Sequence, residues 1–74
     1  MTKIRDEAYL KALGKRVKEI RTQKGISTYD LSYESNISRS QLNSIEKGGI
    51  NTSICTLKAI ADALGLKVKD LVDF

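Results

Sequence analysis

Arg39, Ser40, Asn43 and Ser44 fall within six consecutive positions, and each carries a side chain that can hydrogen-bond the rim of a nucleobase. A guanidinium addresses guanine O6 and N7 together, and a carboxamide pairs with N6 and N7 of adenine. The two serines are small enough to allow close approach to bases or thymine methyls. Gln41 is placed to bond adenine from the flank, or else a phosphate. Each of these residues also has a plain reading as a solvated polar side chain. The chemistry on offer is recognition rather than catalysis: the chain has no His and one Cys, which removes the usual general bases and any His/Cys metal cluster. No enzyme activity, metal or cofactor is expected.

Positioning these residues requires helix starts, and the sequence supplies two in one short segment. Ser27 with Asp30, and Ser38 with Gln41, both have the spacing of a capping box, in which a hydroxyl satisfies a free backbone N–H of the first turn. Ser35, Asn36 and Ile37 leave room for a three-residue turn between them, and Asn tolerates the left-handed conformation better than any residue except Gly. The segment from about 27 to 47 is therefore expected to be a helix-turn-helix. On its second helix Leu42 and Ile45 share one side with Glu46 beside them, while Ser40, Asn43, Ser44 and Lys47 follow the i, i+3, i+4, i+7 rule on the other. At the start of the first, Ser27 and Thr28 present free N–H groups and the positive end of the helix dipole, which suits a phosphate; the alternative is that both are only caps. Tyr29 is expected against a phosphate or sugar, and Tyr33 in the core.

Apolar spacing gives the remaining elements. Leu10, Leu13, Val17 and Ile20 form a helix seam over about Asp6 to Lys24, which Gly25 ends. Thr52 or Ser53 caps a fourth helix through Leu57, Ile60, Ala61 and Leu64, ended by Gly65. Val68, Leu71 and Val72 mark a short fifth helix. Cys55 is expected to be small core filler; the alternative is a thiol of lowered pKa at a helix start. With no proline, repeat or low-complexity linker, the expectation is an all-α, five-helix domain over residues 1–74.

The stretch LSYESNISRSQLNSIEKG from Leu31 to Gly48, with LGKRVKEIR from Leu13 and LKAIADALGL from Leu57, resembles the phage-repressor type of helix-turn-helix domain, the Cro/C1 or XRE family. That resemblance implies a compact five-helix fold whose third helix enters the major groove of a double-stranded DNA operator, usually as a homodimer. It implies that the start of the second helix, together with Lys47, Asn51 and Thr52, approaches the DNA backbone. It also implies a buried ion pair between Arg21 and Glu46, and pairing of subunits through the fifth helix, here Leu66, Val68, Leu71, Val72 and Phe74. Those apolar residues alternatively close the domain's own core. Three positions depart from the family: Ser32 replaces the usual Ala, Asn36 the usual Gly, and Lys67 the usual Ser or Asp cap. The resemblance to helix 1 starts near Leu13, so residues 1–12 are an extension whose Tyr9 and Leu10 either pack on the domain or meet a second subunit.

Composition narrows the alternatives. A chain of 74 residues makes one domain and buries only about 60% of its unfolded surface, so a partner subunit would help it. The net charge of +4 favours an anionic partner, and six of the basic residues lie between Lys11 and Lys24 against one acidic residue there. A single Cys fits a reducing compartment, and no apolar run is long enough for a membrane span or a signal peptide; a cytoplasmic protein is expected. The expected function is a sequence-specific transcriptional regulator or repressor, with RNA polymerase left open as a protein partner. The alternative is an antitoxin or small adaptor binding a toxin or other protein, for which only the N-terminal dozen residues remain free. RNA is a poorer ligand on this reading, which finds no exposed aromatic platform.

Overall fold

Asp6 starts the first helix: its carboxylate accepts from Tyr9 N at 3.0 Å, and α1 runs Glu7–Gln23. The computed structural model describes residues 4–74 of the chain. Residues 1–3 of the extension lie outside the described residues. The other starts follow the same local chemistry. The Ser27 hydroxyl accepts from Asp30 N at 3.0 Å to open α2 (Thr28–Ser35), and Ser38 accepts from Gln41 N at 3.1 Å to open α3 (Arg39–Glu46). Ser53, rather than Thr52, accepts from Thr56 N at 3.2 Å to open α4 (Ile54–Ala63). Each such cap contributes about 1 kcal/mol.

The two departures at the turn are absorbed without strain. Asn36 sits in the left-handed region at φ 60°, a conformation its short polar side chain tolerates. The Ser32 hydroxyl, absent from an alanine, donates to the Ile37 carbonyl at 2.6 Å and ties α2 to the far side of the turn. The third departure is compensated as well. Lys67 makes no side-chain cap for α5 (Val68–Leu71), but the Asp70 carboxylate accepts from Lys67 N at 3.0 Å and satisfies that end of the helix.

All five elements are helical, and no strand occurs among the described residues. α1 packs on α3 and α5, α2 on α3 and α4, and α4 on α5. Leu13, Val17 and Ile20 of α1 meet Leu31, Ile37, Leu42, Ile45, Leu57, Ile60, Ala61 and Leu64 in one core. Leu10 is also buried, and the Tyr9 ring lies 4.9 Å from that of Phe74, so both residues of the extension pack on their own chain. Arg16 donates twice to the Asp70 carbonyl, at 3.2 and 3.1 Å, and fastens the end of α5 to α1.

Three expectations are corrected by this packing. Leu71 is 0% exposed within the single chain and belongs to its core, so it is not available to a second subunit. Leu66, Val68 and Val72 are half-buried against the same core, and of the tail's apolar residues only Phe74 stands largely in solvent. Cys55 is exposed rather than core filler, because the buried seam of α4 is Leu57, Ile60, Ala61 and Leu64, and a residue two positions before Leu57 points away from it. Tyr33 is 78% exposed for the same reason: Leu31 is the buried residue of α2, and Tyr33 stands two positions further on.

Candidate nucleic-acid interface

The polar side of α3 forms one wall of an open hollow of about 500 Å³ lined by Thr28, Arg39, Ser40, Asn43, Ser44 and Lys47. Leu42 and Ile45, on the other side of the helix, are 0% and 1% exposed, which locks the helix by its apolar stripe and leaves the polar residues outward. Of the residues singled out by type and spacing, the fold therefore gathers Arg39, Ser40, Asn43 and Ser44 with Thr28 of α2 and Lys47 beyond α3. No carboxylate lines the hollow, and two cationic side chains do. A concave surface with backbone-proximal hydroxyls, one carboxamide and two cations is suited to an anionic, hydrogen-bonding ligand.

The other candidates are placed differently. The Ser27 oxygen is engaged as the α2 cap, and Gln41 is exposed outside the hollow. Thr52 is half-buried with its hydroxyl turned to the Ile50 carbonyl at 3.5 Å. The Asn51 amide donates to the Ile4 carbonyl at 2.8 Å, so its side chain reaches back to the N-terminal segment. Tyr29 lies beneath Arg39, with the guanidinium 5.9 Å from the ring centroid, the distance of a cation–π contact. The ring of Tyr29 thereby limits where the Arg39 side chain can swing. Tyr29 and Tyr33 are both exposed, so the expectation that no aromatic platform is available does not hold.

The opposite end of α3 is fixed. Arg21 donates from Nε to Glu46 at 2.8 Å and from a second nitrogen at 3.1 Å, while its third nitrogen donates to the Ile26 carbonyl at 2.9 Å. The two side chains retain only 11% and 7% of their exposure. A bidentate pair at that depth contributes little net stability, because desolvation offsets most of the attraction, but it fixes the angle of α3 against α1. Gly14 completes the joint. A Cβ there would stand 2.4 Å from the Ile45 carbonyl oxygen and 2.5 Å from that of Glu46, so the backbones of α1 and α3 touch through a missing side chain.

Residue type and spacing had pointed to none of Gly14, Arg5, or Tyr29 as a support for Arg39. A glycine inside a helical seam was the available signal for Gly14. For Arg5 there was none, since the Gly49 carbonyl it reaches lies 44 positions away. Its guanidinium donates to the Gly49 carbonyl at 3.0 Å and to the Glu7 carboxylate, which it holds below the ordinary range for a glutamate. Among the described residues, no group of His, Cys, Asp or Glu side chains could hold a metal ion, and no helix is long and apolar enough to cross a membrane.

Comparison with known proteins identifies the family. Residues 16–74 match the model of the Cro/C1-type helix-turn-helix DNA-binding domain. The chain is 40% identical over 60 residues to an immunity repressor protein of Bacillus phage phi105, aligning 81% of itself with 42% of that repressor, and so spans less than half the relative's length. It is 37% identical over 62 residues to the control protein C.BamHI of Bacillus amyloliquefaciens, covering 82% of this chain and 76% of that one. The crystal structure of the restriction-modification controller protein C.AhdI from Aeromonas hydrophila superposes with a TM-score of 0.84 at 34% identity, over 86% of this chain and 97% of that chain. With more than half its length matched by the domain model and its five helices arranged as in such regulators, the chain belongs to the Cro/C1-type helix-turn-helix DNA-binding family.

Proposed function

We propose that the chain is a sequence-specific, double-stranded DNA-binding transcriptional regulator that binds DNA through its helix-turn-helix. In this reading α3 enters the major groove and presents Arg39, Ser40, Asn43 and Ser44 to base edges, while Thr28, Lys47 and the N-terminus of α2 hold phosphates. The observation that carries it is the hollow on the polar side of α3, which collects these side chains without a carboxylate among them. Two relatives named as a repressor and a control protein support the regulatory role. The protein works as a homodimer on a palindromic operator, with Phe74 and the half-buried Leu66, Val68 and Val72 at the pairing surface. Recognition helices of such a dimer stand about 34 Å apart, one turn of DNA.

Selection of bound duplexes from a random pool at about 0.15 M salt, where nonspecific attraction is reduced, tests the reading. A recovered palindrome is the expected outcome, with a sedimentation shift to the dimer at high concentration. Arg39→Ala then relaxes discrimination at one base position by roughly 1–3 kcal/mol, whereas Thr28→Val weakens all duplexes alike. Equal losses from both substitutions on every duplex would contradict the assigned roles. Because Tyr29 and Tyr33 are exposed on α2, competition with single-stranded RNA of the same sequence belongs in the assay. Preferential retention of RNA would replace this reading.

A further inference from the structure

The segment that precedes the matched family residues is bound to the loop that leaves α3. Arg5 donates to the Gly49 carbonyl at 3.0 Å, and the Asn51 amide donates to the Ile4 carbonyl at 2.8 Å. The two bonds run in opposite directions between adjacent residues of one segment, Ile4 and Arg5, and residues two apart in the other, Gly49 and Asn51, so they act as a paired tie. Beside them, Gly48 at φ 74° meets the first turns of α1 so closely that a Cβ would stand 2.8 Å from both Cα and N of Lys11. Residues 4–11 thus touch Gly48, Gly49 and Asn51, just past the lysine that borders the hollow. None of these contacts involves residues 16–47, which carry the helix-turn-helix and the Arg21–Glu46 pair.

We propose that residues 4–11 are a strap that positions the loop from Lys47 to Thr52 for DNA, and that Arg5 and Asn51 are positioning residues acting through that loop. The proposal rests on the DNA-binding reading above and adds to it a role for the N-terminal segment. An untied loop has many conformations to lose when a phosphate docks on it, and a tied loop has already lost them. The strap therefore acts on affinity without reading sequence. Asn51 serves DNA indirectly, because its amide is committed to Ile4. Arg5 does likewise: its guanidinium is shared between Gly49 and Glu7.

The test uses the full chain with Arg5→Ala, Asn51→Ala and the double variant, measuring two properties of each. In the absence of DNA, amide hydrogen exchange of Gly48 and Gly49, whose N–H groups donate to the Ile45 and Ser44 carbonyls, is expected to speed up in every variant while that of the α1 and α4 core stays unchanged. With duplexes taken from the selected pool, each single variant is expected to bind roughly fivefold more weakly on every sequence, the scale of one hydrogen bond. Four further outcomes separate the possibilities. The salt dependence of binding should keep its slope in Arg5→Ala, whereas loss of about one unit of phosphate contact would make Arg5 a direct ligand and overturn its positioning role. The double variant should lose less than the product of the singles, since either break loosens the same tie; independent losses would overturn the strap. If no protein, wild type included, retains duplex DNA while exchange still speeds up in the variants, the DNA-binding reading fails and the tie stands. Unchanged exchange and unchanged affinity in all three variants would remove the strap itself.

Discussion

The two ends of α3 are built on opposite plans. At its C-terminal end Glu46 is held by two bonds from Arg21, the Ile45 and Glu46 carbonyls press on Gly14, and Gly48 presses on Lys11. At its N-terminal end Arg39 and Ser40 are exposed, and the contact that restrains Arg39 is the ring of Tyr29. A helix clamped at one end and solvated at the other has a fixed direction and free side chains. That division suits recognition, because groove entry needs a rigid axis while base contacts need groups whose hydrogen bonds are not already used.

The contrast is sharpest at the ion pair. Arg21→Ala leaves the Glu46 carboxylate buried without a partner and the Ile26 carbonyl without its donor; a loss of about 3 kcal/mol in thermal or urea unfolding is expected. The double variant Arg21→Ala/Glu46→Ala should recover part of that loss. A melt of Arg21→Ala that matches wild type would mean the clamped end is not clamped. Gly14→Ala attacks the same joint sterically. Alanine normally favours a helix over glycine, yet here the Cβ meets two carbonyl oxygens, so a net loss of roughly 2 kcal/mol is expected from overpacking. A stabilised Gly14→Ala protein in a denaturant titration would show that α1 and α3 can separate freely.

Smaller effects lie toward the N-terminal end of α3. Ser32→Ala restores the family's usual residue but deletes the bond to the Ile37 carbonyl, and the expected loss is about 1 kcal/mol of stability with base preference unchanged. Altered base preference in that variant would place the turn, rather than the clamp, in control of the axis. Tyr29→Leu removes the platform under Arg39 while keeping side-chain bulk. On the proposed role of Arg39 it should reduce discrimination at one base position by about 0.5 kcal/mol, with Tyr29→Phe behaving as wild type. If leucine and phenylalanine variants discriminate equally well, Arg39 is positioned by something other than the ring.

Much of this design was legible in the sequence because it is local. A serine whose hydroxyl oxygen accepts from the N–H three residues further on specifies a helix start whatever lies elsewhere, and the caps at Ser27, Ser38 and Ser53 all follow that pattern. The polar and apolar sides of α3 separate by the same short-range periodicity. Local patterns failed where a side chain's surroundings depend on which distant segment covers it. Cys55 and Tyr33 read as apolar enough for a core, yet the seams of their helices run through Leu57 and Leu31 instead. The assignment of Asn51 to a phosphate could not anticipate a competing carbonyl 47 residues earlier.

The sequence by itself determined five helices, their approximate extents and the polar surface offered by the third, since capping and amphipathic spacing act within a few residues along the chain. Only the tertiary structure decided that Leu71 closes the chain's own core, that Arg16 fastens α5 from 54 residues away, and that the N-terminal segment grips the loop beyond α3. Those outcomes depend on backbone groups and apolar faces meeting across long separations, and a carbonyl oxygen carries no residue-specific mark by which its partner can be read from the sequence.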